Sequence, residues 1–466
     1  MDFRDTTVEA LAAQVRDRQV SARELTTAAL ERIEATNDRV NAFVAVDGEA
    51  AMAEASRVDD RLAAGDDVGP LAGIPIGVKD LEDAAGFVTT SGSMLHADAP
   101  PAGADSVLVG RLRKAGCVVV GKTNTPELGC KAQTSNQVFG VTRNPWDLDR
   151  TAGGSSGGTA AAVAAGMVPF GTGSDGGGSI RIPAALCGFT GFKPSLGRVP
   201  AGGEDPPGWA DLSSKGPMAR TVRDTAFVLD QVVGPEQTDL RSLPLTDGSW
   251  RAALEDPHAP LRVAWSPTLG YSPVDPEVLA ICEAAVQRLA AMGTEVVEEP
   301  SVFPVDPVTT WMVITSASNL RTVSEVRGTE QWSLLDPVVR ASAEWAEARL
   351  SVTDVLAAQD AAHQLNLTLV ALFRTVSLLL TPTVAAQAPL VDEDGMLDGQ
   401  PDPNWVRFTY PFNLTRSPAG TVCAGFTAAG LPVGLQVIGP QHADVAVLRL
   451  LAALEDDLGG PGRAPL

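Results

Sequence analysis

The sequence predicts an α/β protein whose sheet is largely covered by helices. Two observations carry this. Apolar runs of strand length alternate with amphipathic runs of about 10–18 residues. Clear cap and stop residues punctuate them, which places strands and helices in one interleaved core. The chain opens in helices: Thr6-Thr7-Val8-Glu9 and Ser21-Ala22-Arg23-Glu24 both fit a capping box, and the second run is expected to end near Asn37. Ile74–Val78 is a short buried strand leading to Lys79. Ser106–Ala115 has helical spacing and stops at Gly116, and Cys117–Val120 is the buried strand after it. The Ala-rich run Thr159–Ala165 is a helix. Asp275 caps a helix with Pro276 at its first position, and Gly293 ends it. Thr294–Val297 then forms a strand, with Leu261–Trp265 as its partner. Residues 300–380 are helical and hold Trp311, Trp332 and Trp345, either as a plain helical layer or as a cap over a site. Leu435–Ile438 is a further strand, and the Pro/Gly/Asp-rich stretches 201–208 and 384–404 read as surface loops.

Composition bounds the function. The length of 466 residues allows about three domains. A net charge of −22 argues against nucleic acid and anionic membrane as partners. Five cysteines without a CxxC pair fit a reducing compartment. Met-Asp-Phe-Arg-Asp at the start is no signal peptide, and no run reaches the roughly 18 apolar residues of a membrane span. The expected location is the cytoplasm.

The chemistry concentrates in residues 152–183, where two serines, Ser155 and Ser179, follow glycine runs. Glycine is used where backbone takes positive φ or closely approaches a ligand, so a nucleophile beside free N–H groups is expected. Gly171-Thr-Gly173-Ser-Asp-Gly176 fits GxGxxG, but Gly177-Gly178-Ser179 and Pro183 follow where a dinucleotide loop would open its helix. A Walker A Gly-Lys-Ser/Thr is absent. Gly153-Gly154-Ser155-Ser156-Gly157 fits the GxSxG nucleophile elbow, which needs an acid and a histidine downstream. Of His96, His258, His363 and His442, only His442 is a plausible base. A Ser–Lys pair is the other solution, provided burial keeps the lysine neutral. Lys79, Lys122 and Lys193 are the candidates, all at ends of apolar runs. Asp80, Glu82 and Asp83 oppose a neutral Lys79 unless they point away or are neutralised elsewhere. No HExxH, CxxC or His/Asp cluster calls for a metal, and no cofactor is expected.

An ordered set of motifs spans nearly the whole chain: Gly73-Ile-Pro-Ile-Gly-Val-Lys79-Asp80, Gly121-Lys-Thr-Asn-Thr-Pro-Glu127, Asn144-Pro-Trp146, Gly153-Gly-Ser-Ser-Gly-Gly158, Gly173-Ser-Asp-Gly-Gly-Gly-Ser-Ile-Arg-Ile-Pro183, Gly191-Phe-Lys-Pro-Ser195 and Gly430-Leu-Pro-Val-Gly-Leu-Gln436. On these residues the chain resembles the amidase signature family. The resemblance implies one α/β domain over residues 1–466, with its motif region at 73–200 and a large mixed sheet between layers of helices. It also implies site roles. Ser179 matches the nucleophile, Ser155 the bridging serine in a cis peptide, and Lys79 the base. The N–H groups of Gly176, Gly177, Gly178 and Ser179 match the oxyanion hole, and Ser156, Asp175 and Arg181 match supporting positions. Relatives often carry a residue larger than glycine at position 176. Gly129 and Cys130 match a segment that borders substrate.

The expected activity is hydrolysis of a small amide, anilide or carbamate (a urethanase activity) through an acyl-enzyme. The expected state is a monomer or homodimer. The alternatives are a Ser-His-Asp esterase using Ser155 and the amidase-like subunit of a tRNA-dependent amidotransferase.

Overall fold

The computed structural model describes residues 1–203, 208–255 and 261–466. Residues 204–207 of the expected 201–208 loop, and His258, lie outside the described residues. The architecture is mixed α/β. One sheet has the strand order Phe43–Val46, Val118–Thr123, Pro75–Lys79, Phe170–Asp175, Ser214–Ala219. Its three middle strands are parallel, and both edge strands are antiparallel. The other has the order Glu295–Glu298, Arg262–Trp265, Leu378–Pro382, Pro432–Ile438, Ala419–Phe426, Gly191–Lys193. Its first three strands are parallel and the rest antiparallel. Both sheets are mixed, and they adjoin where Gly191–Lys193 packs beside Ser214–Ala219.

The middle strands owe their place to composition. Val118-Val119-Val120 presents β-branched side chains on both faces and Ile76 and Val78 add two more, and every residue of Pro75–Lys79 and Val118–Thr123 is buried. Helix Gly157–Ala164 packs on them with all eight residues buried. Its small side chains let it lie close to the sheet. Ligand sites of parallel sheets form outside the carboxyl ends of the strands. Here Lys79 and Asp175 end two adjacent strands.

Ser21 and Glu24 form the full capping box of helix Ala22–Val40. The first expected box does not form. Thr7, not Thr6, caps helix Val8–Arg16 by accepting the Ala10 N–H, while Glu9 reaches across to Arg251 at 2.9 Å. The second helix passes Asn37 and ends at Val40, with Asn41 in the left-handed region at φ 54°. Asp275 caps helix Pro276–Ala291 as expected, Ser106 caps the helix Val107–Lys114 that lies within the expected run, and Arg262–Trp265 pairs in parallel with Glu295–Glu298. The 384–404 stretch is not a simple surface loop. Val384, Ala385, Ala386 and Ala388 are buried, and Gly395–Leu397 pairs with Gln400–Asp402 as a hairpin. Small apolar residues at 384–388 fill space under the sheet end, and the Ala385 N–H donates to the Trp405 carbonyl. The region 300–380 forms helices Val308–Thr322, Pro337–Arg349 and Val352–Leu372.

Candidate active site

All three candidate lysines are buried, so burial alone does not choose between them. Their partners do. Lys122 Nζ lies 3.1 Å from Asp80 Oδ1 and donates to the Glu82 carbonyl and the Thr89 hydroxyl. Lys193 Nζ donates to the Pro194 carbonyl at 3.1 Å. Lys79 alone meets the glycine-framed segment: its Nζ is 2.7 Å from Ser155 Oγ and 3.0 Å from Ser174 Oγ. Its backbone N–H donates to Thr172 Oγ1 at 2.8 Å. Thr172 and Ser174 are two residues apart on one strand and so share a face. Loss of hydration brings the Lys79 ammonium down to about 7, against the opposing pull of Glu82 and Asp175. At neutral pH a large fraction of Lys79 is therefore an acceptor as well as a donor.

Ser155 follows a cis peptide bond from Gly154. An ideal Cβ on Gly154 would lie 2.8 Å from the Gln133 backbone and the Lys131 carbonyl, so only glycine fits this crossing. Ser156 opens helix Gly157–Ala164, and its N–H donates to the Ser179 carbonyl at 3.3 Å. The Ser156 hydroxyl reaches the Ser174 carbonyl at 3.4 Å. Ser155 and Ser179 thus sit on two segments tied side by side, both nearly closed to solvent. No hydrogen bond joins their two hydroxyls among the described residues.

Asp175 shapes the loop that carries Ser179. Its carboxylate accepts the Gly178 N–H at 2.8 Å, the Ile180 N–H at 3.2 Å and the Arg181 N–H at 3.4 Å. Burial would raise its pKa, but the Arg181 guanidinium and nearby Lys193 more than offset that and hold the carboxyl well below the usual range. The Gly178 N–H, one of the four expected oxyanion donors, is engaged by Asp175, a charged and strong acceptor. The Gly176, Gly177 and Ser179 N–H groups have no hydrogen-bond partner among the described residues.

Two aromatic side chains back this loop. Trp311 Nε1 donates to the Gly176 carbonyl at 3.0 Å. Trp209 meets Trp311 edge to face at 5.5 Å between centroids. An ideal Cβ on Gly176 would lie 2.6 Å from Trp209, and one on Gly177 2.8 Å from Trp311. Glycine at 176 thus makes room for Trp209. On the other side, Gly129 has φ +71°, and an ideal Cβ there would be 3.2 Å from Ser155 Oγ. Cys130, beside it, packs with Leu95, Leu128, Trp332 and Leu335 in an apolar cluster, and burial pushes its thiol far up. All five cysteines are free. His96, His363 and His442 are exposed, and none contacts Ser155. The His442 backbone N–H donates to Ser195 Oγ at 3.0 Å.

Sequence reasoning does not single out Thr172, Ser174 or Asn413, and it leaves Trp311 open as part of a helical layer or of a cap, without its bond to Gly176. Asn413 joins the network by donating to the Asp175 carboxylate at 2.9 Å. The alternation of Thr172 and Ser174 with Gly171 and Gly173 along the strand is the available signal for those two. Among the described residues no group of three or more His, Cys, Asp or Glu side chains is arranged to hold a metal ion. No helix among them is long and apolar enough to cross a membrane.

Comparison with known proteins is consistent across sequence and structure. The Amidase family model matches residues 24–448. The chain is 38% identical over 461 residues to an acylamidase of Rhodococcus erythropolis, covering 96% of this chain and 94% of that one. It is 37% identical over 466 residues to a glutamyl-tRNA(Gln) amidotransferase subunit of Synechococcus sp. (strain CC9605), covering 94% of each. Its fold superposes with a TM-score of 0.91, at 30% identity, on a bacterial aryl acylamidase of the amidase signature family, covering 97% of this chain and 96% of that one.

Proposed function

Because the chain belongs to the amidase signature family, we propose that it cleaves the C–N bond of a small amide, anilide or carbamate through an acyl-enzyme on Ser179. One observation carries this reading: a buried lysine held near neutrality, 2.7 Å from a serine hydroxyl, on a segment tied to the loop of a second serine.

Ser179 attacks the carbonyl carbon. Its proton passes to Ser155 as Ser155 gives its own to neutral Lys79. The carbonyl oxygen becomes an oxyanion, and the unpartnered N–H groups of Gly176, Gly177 and Ser179 are the donors for it. One such donor is worth about 3–4 kcal/mol of transition-state stabilisation. The leaving nitrogen must be protonated before the C–N bond breaks, and Ser155 returns the Lys79 proton to it. The amine departs, leaving an ester on Ser179. Water adds to that ester, giving up a proton through Ser155 to Lys79; the acyl–Oγ bond then breaks as that proton returns to the Ser179 oxygen, and the acid is released. Protons and electrons balance on the chain's own groups and water.

The substrate is proposed to be apolar or aromatic on one side of the scissile bond. The apolar cluster of Leu95, Leu128, Cys130 and Trp332 beside Gly129 supports this, as does similarity to an acylamidase and an aryl acylamidase. Similarity to an amidotransferase component favours a second reading, in which the chain works only with partner proteins. The isolated protein should be screened against amides, anilides, carbamates and esters, with mass spectrometry for acylated Ser179. Turnover by the isolated chain, lost in Ser179→Ala with the acyl adduct absent, is the expected result. Full activity in Ser179→Ala sinks the mechanism, and no turnover without a partner favours the second reading.

A further inference from the structure

The acidic run after Lys79 poses a problem that the fold solves with a residue outside every motif. Glu82 is three residues beyond Lys79, is buried, and is one of two carboxylates that favour the charged form of that lysine. Its Oε2 accepts from Lys215 Nζ at 2.8 Å. Lys215 comes from the edge strand Ser214–Ala219, where its register partner is Ser174, the residue whose hydroxyl meets Lys79 Nζ. Each carboxylate near Lys79 has its own cation. Asp80 pairs with Lys122 from the neighbouring strand at 3.1 Å, and Asp175 pairs with Arg181 at 2.8 Å, with Lys193 buried nearby. Asp83 is exposed, and helix Gly157–Ala164, packed behind, carries no charged residue.

We propose that Lys215 is a positioning residue for the reaction: by claiming Glu82, it keeps that carboxylate from the Lys79 ammonium and leaves Lys79 to the Ser155 and Ser174 hydroxyls. The inference rests on the assignment of Lys79 as the base. Without Lys215, the buried Glu82 carboxylate would lose its ion-pair partner and would favour nearby positive charge more strongly, that of Lys79 as well as that of Lys122, whose Nζ donates to the Glu82 carbonyl.

The test is the pH dependence of kcat/KM in Lys215→Met, Lys215→Arg, Glu82→Gln and the Glu82→Gln/Lys215→Met double variant. Lys215→Met should move the acid limb up by about 1–3 pH units, as expected for an opposite charge at close range. Lys215→Arg should leave it in place, Glu82→Gln should move it down, and the double variant should return it near the wild-type position. A purely structural ion pair would lower the rate without moving the limb. An unmoved limb in folded Lys215→Met, or a shift that persists in the double variant, overturns the proposal. If Lys215→Met does not fold, an unmoved limb in Glu82→Gln does so. Failure of the underlying mechanism reads differently: Ser179→Ala or Lys79→Met would then stay active whatever Lys215 does.

Discussion

Arg181 and Asp175 lie side by side with no solvent exposure, the guanidinium donating to both carboxylate oxygens at 2.8 and 2.9 Å. The remaining Arg181 donors reach the Thr409 carbonyl at 3.0 Å, Gln436 Oε1 at 2.7 Å and Asn413 Oδ1 at 2.7 Å. One side chain therefore ties the Ser179 loop to the second sheet. Removing it strands a buried carboxylate, so Arg181→Met should cost about 3–5 kcal/mol. Arg181→Lys should rescue little, because an ammonium cannot span a forked set of acceptors. Urea unfolding midpoints of the three proteins check this. A loss below about 1 kcal/mol in Arg181→Met, the range of an exposed ion pair, would contradict it.

Activity should fall on the acid side of neutrality. Lys79 is depressed from 10.5 to about 7 by loss of hydration. As pH drops through that value it gains a proton and can no longer accept one, so kcat/KM should decline below about pH 7 and level off above it. Lys79→Met should lose roughly 10²–10⁴-fold, the usual worth of a general base. His442→Ala should change nothing, since His442 is exposed and does not touch Ser155. A rate that follows His442 instead would restore the esterase alternative.

The line between what can and cannot be read from the chain runs through particular residues. Ser155 and Ser179 stand out because glycines frame both, and Lys79 because it ends an apolar run. Choosing Lys79 over Lys122 and Lys193 is not possible from burial, which is the same for all three. The difference is which acceptors each ammonium meets, and strand register decides that. Asn37 looks like a helix end for a sound reason. Its side chain accepts the Ala42 and Phe43 N–H groups, so it organises the turn from one helical turn upstream. The expected role of the Gly178 N–H depends on an acceptor, Asp175, whose orientation only the folded loop defines.

Trp311 belongs to the helical region that the sequence leaves open as layer or cap. Its indole N–H holds the Gly176 carbonyl, and a trans peptide is planar, so the Gly177 N–H is fixed pointing the opposite way. Trp311→Phe keeps the ring against Gly177 and deletes the donor. It should lower kcat about tenfold, the worth of one neutral hydrogen bond, with KM nearly unchanged. A raised KM with kcat unchanged would make Trp311 a wall of the substrate pocket instead.

Glu455 is a buried carboxyl that burial raises from 4.5 to about 7, with Asp224 adding to the effect and bonds from Thr190 and Val222 opposing it. It accepts the Thr190 hydroxyl at 2.6 Å and the Val222 N–H at 3.0 Å, fastening helix Asp444–Leu458 to the start of helix Val222–Val232. The folded protein holds this proton more tightly than the unfolded chain does. The stability it contributes is thus complete below pH 4.5 and is lost as pH rises through about 7. Glu455→Gln keeps an acceptor oxygen and removes the titration. The variant should therefore gain stability relative to the wild type as pH goes from about 5 to about 8, read as the difference in urea midpoints at the two values. The same comparison in Asp224→Asn separates the two carboxyls: Asp224 is raised only to about 6, so its shift should be smaller and complete at lower pH. A Glu455→Gln difference that does not change with pH would mean that Glu455 is charged in the folded state across the whole range.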